Sequence, residues 1–224
     1  MLRYERITRL GAVNAVLVRE PDGLTLVDTL IGGSADTILA RARALSLPIV
    51  RILATHGHSD HVGSVDKLAE ALPDAEVIFP RREARLLAGD LSVDPGEPQK
   101  RIRKYSFPEL ATRPSRTIGA GDMVGSLRAC AASGHSPGQL AYLDERDGTL
   151  YCGDAYSTLG GRMKTSAELS LPVPIPALFT WDKPLALESA KELRALGPTA
   201  LAPGHGRVVP DPVAAMNDAV RRAS

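Results

Sequence analysis

The stretch ATHGHSDHVGS, residues 54–64, places His56, His58 and His61 together with Asp60 inside six consecutive positions, although the whole chain holds only five histidines. It grows out of IVRILAT (49–55), a near-continuous apolar run of strand length that suits a buried strand. Neutral imidazole and carboxylate are good ligands for zinc and for similar divalent ions. His56 and His58 are two positions apart and share a face in extended geometry. Gly57 between them lets the backbone turn tightly. Asp60 and His61, directly following, point to a second ion.

Outward from that stretch, the remaining polar exceptions occupy equivalent places. His135 lies in SGHSPG, after the strand-like SLRACAAS (126–133); Asp154 follows TLYCG (149–153); His205 follows TALAPG (199–204). Every histidine therefore sits just past the C-terminal end of a predicted strand, and strand ends on one sheet edge are where α/β folds usually build sites. Five histidines and two aspartates exceed what one tetrahedral ion uses. They suit two ions about 3.5–4 Å apart, bridged by a carboxylate and a hydroxide, which hold attacking and leaving oxygens together. A metal-sequestering surface tract is the ordinary alternative, but such tracts belong to low-complexity segments and this cluster lies in a well-patterned fold.

The pattern around these residues is α/β. NAVLV (14–18) and LTLVD (24–28) read as strands joined by the turn REPDG, and GGSADTILARARALSL (32–47) as a helix capped by Ser34 and stopped by Pro48. GSVDKLAEAL (63–72) has helical spacing, AEVIFP (75–80) reads as a strand and RREARLLAG (81–89) as a short helix. Strands return in SLRACAAS, QLAYLD (139–144) and TLYCGD (149–154), and helices in DKPLALESAKELRALG (182–197, Asp182 as cap) and DPVAAMNDAVRRAS (211–224). Residues 90–116 and 157–182 have weak periodicity and are expected as irregular insertions. The element order is roughly duplicated in 1–116 and 117–224. That duplication predicts one domain over 1–224 in which two α/β halves pack their sheets together with helices outside.

Bulk composition excludes several classes. Net charge is +1 from 27 basic and 26 acidic residues, and aromatics make up 4%. Neither a basic surface for nucleic acid or membrane nor an aromatic platform for single strands is present. No apolar run approaches the roughly 18 residues of a membrane span, and MLRYERITRL lacks a secretory apolar core, so a cytoplasmic protein is expected. Cys130 and Cys152 do not make a disulfide framework.

Taken in order, HGHSDH (56–61), SGHSPG around His135, CGDA around Asp154 and PGHG around His205, with LVDT around Asp28, resemble the metallo-β-lactamase superfamily over nearly the whole chain. The resemblance implies an αββα sandwich, two mixed β-sheets face to face with helices outside and metals at one sheet edge. It implies that His56, His58 and His135 hold one metal, that Asp60, His61 and His205 hold the other, and that Asp154 bridges them. Asp28 supports the site through hydrogen bonds to the 55–61 loop. Two Zn²⁺ per chain are expected, with iron or manganese also accepted by such ligands.

Within the superfamily, His58 stands where a di-iron branch carries a carboxylate, and Asp154 stands where many true β-lactamases carry a cysteine. The lack of a secretory leader adds to that case, so β-lactam hydrolysis is a secondary expectation. Glyoxalase II-like thioesterases and lactonases match the ligands better, although the chain leaves room for only one helix after His205. The expected reaction is metal-assisted hydrolysis of a small ester, lactone or thioester, with Asp60 as proton relay and Tyr156 as an oxyanion or leaving-group donor. An alternative is a mononuclear iron oxidoreductase of the persulfide dioxygenase type. The apolar 168–181 segment is expected to wall the pocket, and Lys100, Arg101, Arg103 and Lys104 to meet an anionic substrate or to remain a solvated face. No nucleic-acid or membrane partner is expected, and a homodimer is allowed.

Overall fold

The computed structural model describes residues 3–224. β1 (Tyr4–Arg9), β2 (Val13–Glu20) and β3 (Gly23–Val27) run as an antiparallel meander. Helix α1 (Ala35–Ala44) crosses to β4 (Ile49–Leu53), which pairs parallel to β3. A single helical turn, α2 (Ser59–Val62), and helix α3 (Val65–Ala71) lead to β5 (Glu76–Pro80). Helix α4 (Arg81–Leu87) then opens a long irregular excursion that ends in β6 (Arg116–Ile118). The first sheet has the order β1-β2-β3-β4-β5-β6, its last four strands all parallel.

The second sheet is built from β7 (Met123–Val124), β8 (Leu127–Ala131), β9 (Leu140–Asp144) and β10 (Thr149–Gly153). After a two-stranded ribbon, β11 (Tyr156–Ser157) and β12 (Lys164–Thr165), comes helix α5 (Lys183–Ala195), then β13 (Ala200–Pro203), β14 (Val209–Pro210) and helix α6 (Val213–Ala223). The order is β14-β13-β10-β9-β8-β7, with β13 parallel to β10 and the rest antiparallel.

Side-chain alternation divides the core into three layers. Val16, Val18, Val27, Leu53 and Ile78 of the first sheet meet Leu127, Leu140, Tyr142 and Ala202 of the second. The opposite faces of the same strands, through Leu17, Leu24, Leu26 and Ile52, pack against α1, α3 and α4. Leu150, Cys152 and Leu201 pack against α5 and α6. This is the expected αββα sandwich.

Local expectations differ from the structure at helix ends. Ser34 occupies the N-cap position of α1, yet its side chain makes no capping bond, and its N–H donates to Ser64 Oγ instead (3.0 Å). That helix stops at Ala44, before Pro48, because Ser46 turns into the left-handed region at φ 55°. Asp182 does cap α5, accepting from Leu185 N–H at 2.8 Å. No helix among the described residues is long and apolar enough to cross a membrane.

Strand direction explains why distant residues meet. β3 and β4 are parallel, so the loops that follow them leave one edge of the first sheet. In the second sheet β8 and β10 are both antiparallel to β9, hence parallel to each other, and β13 is parallel to β10. The loops after β8, β10 and β13 therefore leave one edge as well, and inter-sheet bonds bring the two edges together. Leu140 N–H donates to Thr55 O (3.0 Å) and Tyr142 Oη–H to Ala54 O (2.6 Å).

Candidate metal centre

All five histidines converge at that double edge and all are buried. Three overlapping groups have donor atoms within 4.8 Å of one another: His56, His58 and His135; His56, His61 and Asp154; and Asp60, His61 and His205. Asp154 lies between them. Its Oδ1 is 3.3 Å from His61 Nε2, and its Oδ2 is 3.3 Å from His135 Nε2 and 3.2 Å from His205 Nε2. His205 Nε2 is also 3.3 Å from Asp60 Oδ2, and His58 Nδ1 is 3.0 Å from His135 Nε2.

These residues fit metal ions. Two donors each about 2.0–2.1 Å from one tetrahedral ion lie about 3.3 Å apart, close to the separations found here. The hydrogen bonds also fix which ring nitrogen is offered. Thr55 Oγ1 donates to Asp28 (2.8 Å) and so must accept from His56 Nδ1 (3.0 Å), leaving His56 Nε2 as a buried atom with no partner. Thr180 Oγ1 donates to Ser166 O (2.8 Å) and accepts from His135 Nδ1 (3.0 Å). His61 Nδ1 meets Asp28 Oδ2 at 2.8 Å. His61 Nε2 and Asp154 Oδ1 are likewise buried without a hydrogen-bond partner among the described residues. Orphaned buried polar atoms converging on one point are costly unless a cation completes them.

Electrostatics separates the groups. Burial, reinforced by neighbouring histidines, holds His56 well below the usual imidazole range and His58 down to about 3. Burial likewise takes His135 to about 4. These three are neutral, the form that ligates. At His61 and His205 burial also opposes charge, but Asp154 and neighbouring carboxylates outweigh it, raising His61 well above its ordinary value and His205 to about 9. For Asp154 and Asp60 burial acts upward, yet the adjacent His61 and His205 hold both carboxyls below the carboxylate range. This side of the centre demands positive charge.

Two buried carboxylates brace the loops. Asp28, in the left-handed region at φ 58°, accepts from Thr55 N–H (2.7 Å) and meets His61 Nδ1. Asp tolerates that backbone conformation better than most residues. The other brace is Glu83, which sequence reasoning missed. It is 0% exposed and accepts from Gly57 N–H (2.7 Å), Ser136 Oγ–H (2.5 Å) and Gly138 N–H (2.7 Å), tying the His56–His58 turn to the His135 loop. Burial raises its carboxyl despite those donors. Within RREARLLAG nothing but burial distinguishes it from a solvated helix glutamate.

Gly57 serves close approach more than turning: a Cβ there would lie 3.0 Å from Phe107 and 3.1 Å from the Glu83 carboxylate. Gly204 is tighter, since its Cβ would lie 2.5 Å from the His61 ring and 2.6 Å from Asp154 Oδ1.

A family model described as the metallo-beta-lactamase superfamily matches residues 8–205. The chain belongs to that superfamily. It is 39% identical over 214 residues to the uncharacterized protein YobT of Bacillus subtilis (strain 168), covering 96% of this chain and 91% of that one. It is 29% identical over 152 residues to a hydroxyacylglutathione hydrolase of Aeromonas hydrophila, covering 66% of this chain but only 48% of that enzyme. Among solved structures, TTHA1623 in a di-iron-bound form matches with a TM-score of 0.69 at 27% identity, covering 96% of this chain and 97% of that one. Zinc is therefore not the sole metal to consider for this superfamily member.

The structure corrects one site expectation. Tyr156 is fully buried, and its hydroxyl donates to Ala190 O in α5 at 2.6 Å. A register shift between Tyr151 and Gly153, with Gly153 at φ 49°, re-aims the chain after β10 and sends Tyr156 into the layer under α5 rather than into the cleft. The 168–181 segment divides. Ile175, Pro176 and Phe179 line the cleft beside the histidines, whereas Leu169 and Leu171 face solvent. Of the basic stretch, Lys100, Arg101 and Arg103 line the cleft and Lys104 does not.

Proposed function

We propose that this protein is a hydrolase that uses two divalent ions, zinc in the first instance, to cleave the carbonyl bond of a small ester, lactone or thioester. The observation that carries this reading is Asp154, set between an all-imidazole group and a mixed aspartate–histidine group. His56, His58 and His135 would hold one ion, Asp60, His61 and His205 the other, with Asp154 shared. Bound there, such ions supply Lewis acidity and bring the pKa of water toward neutrality.

The chain's own residues do the rest. A cleft of about 210 Å³ opens onto His58, Asp60, His135, Asp154 and His205, so a carbonyl group can reach the donors. Asp60 alone among them keeps about a third of its side chain exposed (34%). It is placed to hold a proton from the attacking water and pass it to the leaving group. Ile175, Pro176 and Phe179 give that cleft an apolar wall, which accommodates an acyl chain and reduces water access.

The second donor group is complete, which favours two ions over the single iron of a persulfide dioxygenase. The likeness to hydroxyacylglutathione hydrolase supports a thioester among the substrates. Metal content by plasma emission spectroscopy, on protein purified without chelator, is the first test, with ester, lactone and thioester panels on the same sample. Two ions per chain and carbonyl hydrolysis are expected. One iron per chain, no hydrolysis, and sulfite from glutathione persulfide would replace this reading with the oxidoreductase.

A further inference from the structure

We propose that the arm of the cleft beside His58 and His135 is a binding subsite for an oxyanion, so that the substrate carries a carboxylate or phosphate; the substrate assignment rests on the hydrolase reading above. This arm encloses about 200 Å³. Lys100, Arg101 and Arg103 line it together with Phe107, Phe179 and Trp181, and no aspartate or glutamate does. The neighbouring arm holds Asp60 and Asp154 and no lysine or arginine. The cleft is thus divided by charge, with Asp60, Asp154 and His205 on the acidic side and His58 and His135 lining both arms.

Lys100, Arg101 and Arg103 are exposed, but the backbone that carries them is anchored. Ile102, between Arg101 and Arg103, is 4% exposed and belongs to the core under the first sheet. Trp181 ties this stretch to the His135 loop, its Nε1–H donating to Lys100 O (3.1 Å) and its backbone N–H to His135 O (3.0 Å). Asp182 adds a second tie, pairing with Lys100 Nζ at 2.6 Å while its N–H donates to Gly134 O (2.8 Å). Lys100 is therefore already ion-paired. Arg103 meets only the Tyr105 hydroxyl (3.0 Å), and neither Arg101 nor Arg103 has a carboxylate within ion-pair distance among the described residues. Two guanidinium forks without counter-ions, in a cavity with aromatic walls, match the paired oxygens of a carboxylate or phosphate.

Trp181 is the chain's one tryptophan, so its emission reports occupancy of this arm without turnover. Succinate and inorganic phosphate are titrated separately into the wild type and into Arg101→Gln/Arg103→Gln. A saturable change is expected in the wild type, with the double variant needing roughly tenfold more anion or beyond. Whichever probe saturates first identifies the group. The same difference is expected after chelation, which separates the arginines from anions bound to metal. Should the double variant fail to fold, the two single substitutions carry the comparison, with Arg103→Lys expected to restore part of the binding. In parallel, the kcat/KM ratio of mono-para-nitrophenyl succinate to para-nitrophenyl butyrate is expected to fall by about tenfold in the double variant. Equal anion binding by both proteins, or none by either, overturns the subsite even if both esters are hydrolysed. Arginine-dependent anion binding without hydrolysis of any carbonyl substrate keeps the subsite and overturns the hydrolase.

Discussion

The two donor groups, less than a side chain apart, are built on opposite electrostatic plans. His56, His58 and His135 are imidazoles that burial keeps neutral, and their loops are stitched together by Glu83 from behind. Asp60, His61 and His205 sit among carboxylates that hold protons on the histidines until a stronger cation replaces them, and Asp28 does the bracing. Glu83 serves the all-imidazole loops alone, whereas Asp28 orients His61 directly and reaches His56 through Thr55. The difference teaches that the two groups share Asp154 outright and Asp28 in part. Mutation should therefore separate them most cleanly at Glu83 and least at Asp154.

Asp154→Ala is the sharpest break. Metal analysis should find at most one ion per chain, with turnover at background. Two tightly held ions in this variant would dissolve the shared-ligand picture. Asp28→Asn comes next. It removes the acceptor that orients His61 and Thr55, so affinity for the ion on the carboxylate side should fall about 10–100-fold, read by competition with a chromophoric chelator. The ion on the all-histidine side should be less affected, because Glu83 still holds those loops and Asp28 reaches His56 only through Thr55; equal loss at both would deny that ordering. Glu83→Gln should show the reverse preference and cost about 1–3 kcal/mol in denaturant unfolding, because an amide cannot accept from all three donors that meet the carboxylate. Asp60→Asn should lower kcat more than metal loading, as a relay requires, and matched losses would make Asp60 a ligand only. The smallest effect belongs to Tyr156→Phe. About 1 kcal/mol of stability should go with the bond to Ala190, and kcat should stay at the wild-type level.

The layers of the fold and the histidine set were legible because each rests on a local signal. Strand-length apolar runs ended in turns that held the polar exceptions, and parallel β3–β4 and β10–β13 pairings then gathered those turns. Three things were not legible for a common reason: they depend on which loop lies behind which. Glu83 looks like any helix-surface glutamate until the His135 loop is laid over it. The Lys100–Arg103 stretch reads equally well as a solvated face until Trp181 and Asp182 pin it beside His135. Tyr156 stands two residues from a ligand candidate, yet the register shift in β10 turns it toward α5, and sequence offset carries no record of such a shift.

The latch on the His205 loop has a further consequence in time. Asn14 Nδ2–H donates to Pro203 O (2.9 Å) and Gly206 O (2.7 Å), and Asn14 N–H to Gly204 O (2.8 Å), so a strand near the start of the chain holds a turn 189 residues away. During synthesis β2 emerges early and pairs with its neighbours, but Asn14 has no turn to hold until the last strands arrive. The final donor is therefore seated only when both sheets are complete. A nascent chain can offer HGHSDH to any passing ion, but it closes the full set of donors around one only at the end of folding.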